Sequence, residues 1–561
     1  MKGLAAWLRA HRPQAGVEWL VLLCSLYFAA VSNAAFWSAF HASAAARAPG
    51  AWALGLGLFL AITALHAALL LVLVNRWSKD VVLPLLLLVT AAAAFYMQRY
   101  HVYIDTDMVV NVLATERKEA GELITPGLLL ALLLHGLVPS LLVWWWKPAP
   151  RPLRRGLLAH ALGIALALGI AAAAIGFNFP SMASLMRNEK ALRHLITPGN
   201  WMVALAKALH QGGTGSAVRT PIAPDAHRER PEGARPRVLL LVVGETVRAA
   251  NWGLNGYARQ TTPRLAGLDG INYPEVEACG TNTEVSVPCL FSEQGLRHYD
   301  RTLVKGSESL LHLLHRLGIE ILWRDNQTGC KGVCDGLPFE SFLHADLPEY
   351  CDGSRCLDGV LLHGLESRIE AMEGDAVVVL HMLGNHGPAY HARYPEAFRR
   401  FTPACERNEL GECSREEITN AYDNAILYTD AVLAEAVALL ETLSATRDTA
   451  LLYVSDHGES LGEAGLYLHG VPRIVAPETQ TRVPMWLWLS PSLREAEGLD
   501  LACLRREAAK PRSHDAVFST VLDLLHVKSA ALDPAQDLLG ACRIEISVTP
   551  PGSGRGSGTS S

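Results

Sequence analysis

The chain has 561 residues, half of them hydrophobic, with 49 basic against 55 acidic side chains and a formal net charge of −6. That length implies several domains, and so small a negative charge argues against nucleic acid as the main partner. The average hides two unlike parts, apolar and poor in charge up to about residue 180 and of ordinary globular composition from about residue 236.

Five long apolar runs fill the first part: Val17–Phe40, Trp52–Val74, Val81–Met97, Pro126–Trp146 and Gly156–Phe179. Each reaches or nearly reaches the ~20 residues that span a bilayer as a helix. They carry almost no charge on any face, which disfavours the helical core of a soluble protein. The first run is too long for a removed signal peptide and no cleavage signature follows it. Lys2, Arg9 and Arg12 precede the first run, Arg76 and Lys79 separate the second and third, and Lys147, Arg151, Arg154 and Arg155 separate the fourth and fifth. The positive-inside rule then places the N-terminus in the cytoplasm and everything after the fifth span on the far side of the membrane.

Residues 181–235 read as a bridge, with Met186–His210 expected as helices on the membrane surface and Gln211–Pro236, rich in Gly, Pro and charge, as a linker. From 236 to 548, β-like runs alternate with helical stretches. The runs are Val238–Val243, Ile319–Trp323, Ala376–Leu380, Ala450–Val454 and Met485–Leu489, and the helical stretches include Ser307–Leu317, Asp358–Met372 and Asn420–Leu443. Such alternation predicts an α/β domain with a mainly parallel sheet and helices on both faces. The low-complexity tail, 549–561, reads as disordered.

The cysteines give an independent reading of topology. Of 11, only Cys24 lies in the apolar part. The other ten cluster in the soluble part, most as close pairs, which implies disulfides in an oxidising compartment. Zinc-ribbon ligation is the rival, but it calls for repeated Cys-x-x-Cys, whereas these gaps vary. The expected pairs are Cys279–Cys289, Cys330–Cys334, Cys351–Cys356 and Cys405–Cys413, and by elimination Cys503–Cys542.

Two strand-like runs end in acidic motifs: Arg237–Val243 in Gly244-Glu245, and Ala450–Val454 in Ser455-Asp456-His457-Gly458-Glu459. An isolated Asp-His pair is more often a turn cap beside a packed histidine. A second strand-end carboxylate shifts the balance, because ligands of open α/β sheets gather at the carboxyl ends of strands. Glu245, Asp456 and His457 can supply three zinc ligands. Thr283, in Cys279-Gly280-Thr281-Asn282-Thr283, can supply a fourth as a metal-activated nucleophile suited to phosphoryl transfer. Alone, Thr283 would read as an ordinary helix-cap threonine. His386 and His469 sit in loop-like settings and are expected near phosphate or a second metal, with structural packing the alternative. His381 reads as packed or as support for a ligand. Lys331, between Cys330 and Cys334, is expected to neutralise phosphate, with a solvated surface lysine the alternative.

This pattern resembles the membrane-bound phosphoethanolamine transferases that modify lipid A, including the mobile colistin-resistance enzymes. The likeness spans nearly the whole chain and rests on Val243–Thr246, Cys279–Phe291, Cys330–Cys334, Gly384–Pro388, Ser455–Ser460 and Leu466–Gly470. It implies five spans, a bridging segment and a zinc-dependent periplasmic domain of the alkaline phosphatase and sulfatase type, in a bacterial inner membrane. By this likeness Thr283 is the nucleophile. Glu245, Thr283, Asp456 and His457 form the tight zinc site, and Lys331, His386 and His469 bind substrate phosphate or a second zinc. Asn111, Thr115 and Glu119, spaced i, i+4, i+8 in the loop between spans three and four, match polar residues near the phosphoethanolamine group; from spacing alone they would be a solvated helical face. Two departures concern substrate fit. Asn282 and Glu284 flank the nucleophile where small residues are common, and Asn326-Gln327-Thr328 precedes Lys331.

The expected reaction is transfer of phosphoethanolamine from phosphatidylethanolamine to a lipid A phosphate through a phosphothreonine. It lowers surface negative charge and polymyxin binding, and the protein works among membrane lipids as a monomer. The alternatives are phosphoethanolamine or phosphoglycerol transfer to core heptose or a periplasmic glucan, and a membrane-anchored sensor that keeps the sheet without the chemistry.

Overall fold

The computed structural model describes residues 11–47, 50–115, 117–212, 219–353 and 355–544. The 549–561 tail lies outside the described residues. Four helices are long and apolar enough to cross a membrane, α3 (Ala51–Leu73), α4 (Lys79–Arg99), α7 (Pro126–Trp145) and α8 (Leu153–Phe177), and a bent pair is a fifth candidate. That pair corrects the expectation of one unbroken first span. It runs as α1 (Val17–Tyr27), a π-turn Phe28–Ser32, and α2 (Ala34–Ala42), with a 49° bend between the two arms. The bend falls at Asn33, whose amide donates to the carbonyls of Phe28 and Thr197 at 2.8 and 2.7 Å while accepting from the Thr197 N–H at 2.8 Å. The side chain thus satisfies backbone groups that the break frees, and ties the bend to the bridging segment.

Helix α1 packs on α3, α3 on α8, and α4 on α7. The outer face of α8 leaves Leu157, Leu162 and Leu166 exposed, as an apolar solvent would favour. Between α4 and α7 lie two short helices, α5 (Thr106–Ala114) and α6 (Arg117–Leu123). The bridge holds α9 (Phe179–Asn188), a 3-10 turn Lys190–Leu195, and α10 (Gly199–Gly212). Part of the expected linker is ordered: His227–Arg228 pairs with Val527–Lys528.

The second part is built on an eight-stranded sheet. Its strands are β1 (Arg237–Gly244), β2 (Ile271–Glu277), β3 (Glu320–Asp325), β4 (Phe339–Ser341), β5 (Ala376–His381), β6 (Asp448–Ser455), β7 (Arg482–Leu489) and β8 (Arg512–Ser513), in spatial order β8-β2-β7-β6-β1-β5-β3-β4. All pairings are parallel except those of β7, which is antiparallel to both neighbours. The five apolar runs expected from sequence are the five central strands. The edge pieces β2, β4 and β8, half-exposed or very short, lack a continuous apolar run and were not expected. In β1, Leu239, Leu241 and Val243 enter one core while Val238, Leu240 and Val242 enter the other, so a strand covered on both faces reads as unbroken hydrophobicity.

Helices α11 (Thr283–Leu290), α12 (Arg301–Gly306), α13 (Leu310–Arg316), α14 (Leu365–Glu370) and α15 (Arg415–Leu443) flank the sheet. The expected helix over 358–372 is divided into a 3-10 turn, Asp358–Leu362, and α14, because Gly364 adopts φ +65° between them. Helix α15 starts earlier than expected, where Ser414 and Glu417 form a reciprocal capping box. All five expected disulfides are present and Cys24 is free.

Candidate metal and phosphoryl-transfer site

Strands β1 and β6 are neighbours in register, with Gly244 opposite Ser455. The residues that follow them, Glu245 and Asp456-His457, therefore emerge side by side at the carboxyl edge of the sheet. Helix α11 approaches the same edge from β2. Its N-cap is Asn282, which accepts from the Val285 N–H. Thr283 is thus not the cap but the first helical residue, and its hydroxyl is left for other work. That hydroxyl lies 3.3 and 3.1 Å from the two carboxylate oxygens of Glu245. The Cys279–Cys289 disulfide joins the loop to the helix end and limits its motion.

Glu245, Asp456 and His457 are fully buried, and their ligand atoms lie within 4.8 Å of one another. Among the described residues this is the one such group. His457 Nε2 is 3.2 Å from Glu245 Oε1 and 3.4 Å from Asp456 Oδ2. A proton on His457 Nδ1, donated to the Gly458 carbonyl at 3.0 Å, leaves the Nε2 lone pair facing the carboxylates. Asp456 Oδ1 accepts from the N–H groups of His457 and Thr246, whereas Asp456 Oδ2 and His457 Nε2 have no hydrogen-bond partner. Buried polar atoms without partners are costly, and an oxygen-and-nitrogen donor set beside a hydroxyl fits a zinc ion.

The electrostatics point the same way. Burial works against ionisation of Glu245, yet the close approach and charge of His457, and then the charges of His386 and His469, hold its carboxyl well below the usual range. Burial and then the Glu245 charge push Asp456 up to about 7. Burial opposes charge on His457, but Asp456 and Glu245 carry it up to about 10. Two carboxyl groups buried side by side favour a cation between them, the place a metal or the His457 imidazolium can fill.

A second group borders the first. The His469 ring lies 4.5 Å from that of His457 and 5.4 Å from that of His386. His469 Nδ1 is held at 2.9 Å by Glu459 Oε2, and Glu459 Oε1 accepts from Tyr390 at 2.5 Å. Burial lowers the His469 pKa. Lys331 Nζ lies 3.3 Å from Glu284 and 2.5 Å from the Thr328 hydroxyl, so it reaches the residue that follows Thr283. His381 is fully buried, hydrogen-bonded to Asp325 at 2.8 Å and packed on Trp323.

The Asn111–Thr115–Glu119 expectation needs correcting. Helix α5 ends at Ala114, and Thr115 is its extended C-cap, with its hydroxyl donating back to the Asn111 carbonyl at 2.8 Å. No single helical face carries the three residues, and the Glu119 side chain lies outside the described residues. Helix α5 nevertheless packs against α11 and α10, so Asn111 stands on an element that touches the helix beginning at Thr283. Sequence reasoning gave no role to Gln327, whose Nε2 donates to Glu245 Oε2 at 2.9 Å, to Glu459, or to Arg393, whose Nε donates to the His386 carbonyl at 2.7 Å. Glu459 was within reach, being part of the Asp-His-Gly-Glu motif.

Comparison with known proteins agrees with this geometry. Residues 62–212 match the family model of phosphoethanolamine transferases EptA/EptB, and residues 237–527 match that of sulfatases. Phosphoethanolamine transferase EptA of Salmonella typhimurium is 41% identical over 83% of this chain and 86% of its own length. Phosphatidylethanolamine transferase Mcr-2 of Escherichia coli is 36% identical over 91% and 95%. The solved integral membrane lipooligosaccharide phosphoethanolamine transferase A of Neisseria meningitidis superposes with a TM-score of 0.90 at 36% identity, covering 95% of this chain and all of that one. This chain belongs to the phosphoethanolamine transferase family, with a sulfatase-type catalytic domain behind a helical membrane segment.

Proposed function

We propose that the protein transfers phosphoethanolamine from phosphatidylethanolamine to a phosphate of lipid A through a covalent intermediate on Thr283. The observation that carries this reading is the Thr283 hydroxyl at 3.1 Å from a buried Glu245 carboxylate, beside the unpartnered atoms of Asp456 and His457. Glu245, Thr283, Asp456 and His457 would hold a zinc ion, which when bound lowers the hydroxyl pKa and offsets charge on the phosphoryl oxygens. Thr283 Oγ1 attacks phosphorus, the bond to the glycerol oxygen breaks, and diacylglycerol leaves with the proton that Thr283 gave up. A lipid A phosphate oxygen then attacks the phosphothreonine, and Thr283 recovers a proton as it departs. His386, His469 and Lys331 surround the phosphoryl group, where positioning and charge neutralisation are most of the catalysis.

This reading divides the chain into a membrane domain (1–180), a bridge (181–235) and a catalytic domain (236–548) in the periplasm. The five disulfides support that compartment. Attaching an ammonium group to a lipid A phosphate weakens the attraction of cationic peptides such as polymyxin.

Peptide mass spectrometry of protein incubated with phosphatidylethanolamine alone should find one phosphoethanolamine on Thr283, and lipid A from expressing cells should gain the same group. Thr283→Ala should abolish both while the protein still binds zinc. Modified lipid A from the alanine variant, or label on another residue, would overturn the assignment. Label on a core sugar would move the acceptor but not the nucleophile.

A further inference from the structure

A cavity of about 770 Å³ runs from Lys331 and Pro288 outward to Arg219, between the catalytic domain and helices α5 and α10. None of Glu245, Thr283, Asp456 and His457 lines it. Its two walls differ in chemistry. One is apolar, with Val110 and Leu113 from α5 and Ala208 and Leu209 from α10. Leu113 and Leu209 remain 62% and 65% exposed, a cost in water unless an apolar group covers them. The other wall carries Arg219, Arg301, Lys305 and Lys331.

These cations are incompletely answered. Arg219 pairs with Asp335 at 2.7 Å and Arg301 pairs with Asp107 on α5. Lys305 and Lys331 share one carboxylate, Glu284, at 3.3 Å each. That is longer than a charge-assisted hydrogen bond of about 2.7–2.9 Å. Lys331 also donates to the Thr328 hydroxyl at 2.5 Å and carbonyl at 3.3 Å, whereas the three protons of Lys305 find Glu284 among the described residues. Glu308, also on this wall, is taken by Arg316 at 3.3 Å, so Lys305 and Lys331 have one carboxylate between them, beside the first turn of α11.

We propose that this cleft seats the acceptor, a glycolipid bearing phosphate monoesters, with a phosphate on Lys305 and Arg219 and its acyl chains along Leu113 and Leu209. The identity of the acceptor as lipid A rests on the reading above, while the recognition chemistry rests on the cleft. Lys331 at the inner end also serves the donor's phosphoryl group, but Lys305 and Arg219 suit the donor less well, because its headgroup carries an ammonium that they repel, whereas a sugar phosphate is an anion throughout. A place for the acceptor separate from the metal group also lets it approach an intermediate already formed on Thr283.

The test is equilibrium binding to the full-length protein in phosphatidylcholine nanodiscs, which contain no donor. The probe is fluorescent bis-phosphorylated lipid A, with a fully dephosphorylated analogue as control and a phosphatidylethanolamine probe as a second arm. The Lys305→Ala, Arg219→Ala double variant should raise the Kd for lipid A about tenfold or more, as expected for lost charge-assisted hydrogen bonds. Lys305→Arg should retain binding, and the melting temperature reports that the variants stay folded. The dephosphorylated analogue should bind weakly and equally to all forms, and the phosphatidylethanolamine Kd should stay within about twofold. Unchanged lipid A binding in the double variant, equal loss of phosphatidylethanolamine, or a wild type that does not bind lipid A would each overturn the cleft. Absence of label on Thr283 with lipid A binding intact would overturn the reaction scheme and leave the cleft standing.

Discussion

Gln327 shows how one side chain can set the reactivity of another. Its amide donates to Glu245 Oε2 at 2.9 Å while its own oxygen accepts from the Thr328 hydroxyl at 2.6 Å, and it is buried. A donor on Oε2, the oxygen 3.1 Å from the Thr283 hydroxyl, fixes the carboxylate with Oε1 turned to His457 Nε2 at 3.2 Å, the kind of support that orients metal ligands. Gln327→Ala should lower zinc affinity about 10- to 100-fold, measured by chelator competition, with a smaller change in melting temperature of the zinc-loaded protein. Unchanged zinc affinity would reduce Gln327 to packing. Its partner Glu245 lies 82 residues away along the chain, so the local motif gave no guidance to it.

Among elements, helix α6 is one connection between the membrane part and the site. Glu122 pairs with Arg393 at 2.6 Å and with Arg355 at 2.8 Å, and Arg393 donates on to the His386 carbonyl. The Arg393 side chain is 3% exposed, so removing its partner leaves a buried charge unanswered. Glu122→Gln should speed hydrogen exchange in α6 and in the 384–388 loop and lower kcat/KM about tenfold, near 1.4 kcal/mol. An unaltered exchange pattern would show that α6 is not clamped. At the opposite end of the sheet, Glu497 joins Arg237 at the start of β1 to His526 and Arg543. Burial would raise its pKa, but the His526 hydrogen bond and the Arg237 charge hold it down to about 2. A depressed carboxyl stabilises above its unfolded pKa and loses that contribution as pH falls toward the folded value. Glu497→Gln should therefore cost about 3 kcal/mol near pH 7, and the gap should close as pH drops from about 4.5 to about 2. A melting-temperature difference independent of pH across that window would contradict the assignment.

For the molecule as a whole, the disulfides and the apolar helices make one statement about topology. Ten cysteines are paired in the part that follows the last apolar helix, and the free one, Cys24, is buried within α1. Thiol labelling of denatured, unreduced protein from its native compartment should report one reactive cysteine. Labelling of most of the others would place the catalytic domain on the reducing side of the membrane. The same arrangement closes the cleft, since its walls come from α5 and α10 on one side and the catalytic domain on the other.

The amino-acid sequence by itself determined the apolar helices, the central strands, the cysteine pairs and the carboxylates at the strand ends. These are local properties: a run of hydrophobicity needs only its own residues, and four of the five disulfides close separations of 4 to 10 residues. Only the tertiary structure decided the bend at Asn33, the end of α5 at Thr115, the split at Gly364, and the partners of Glu122, Gln327 and Glu284. Arg393 and Glu122 are 271 residues apart, and Gln327 and Glu245 are 82 apart. Such contacts form when distant elements pack and bury polar groups that must then find partners. Periodicity and spacing along the chain do not encode which partner that will be.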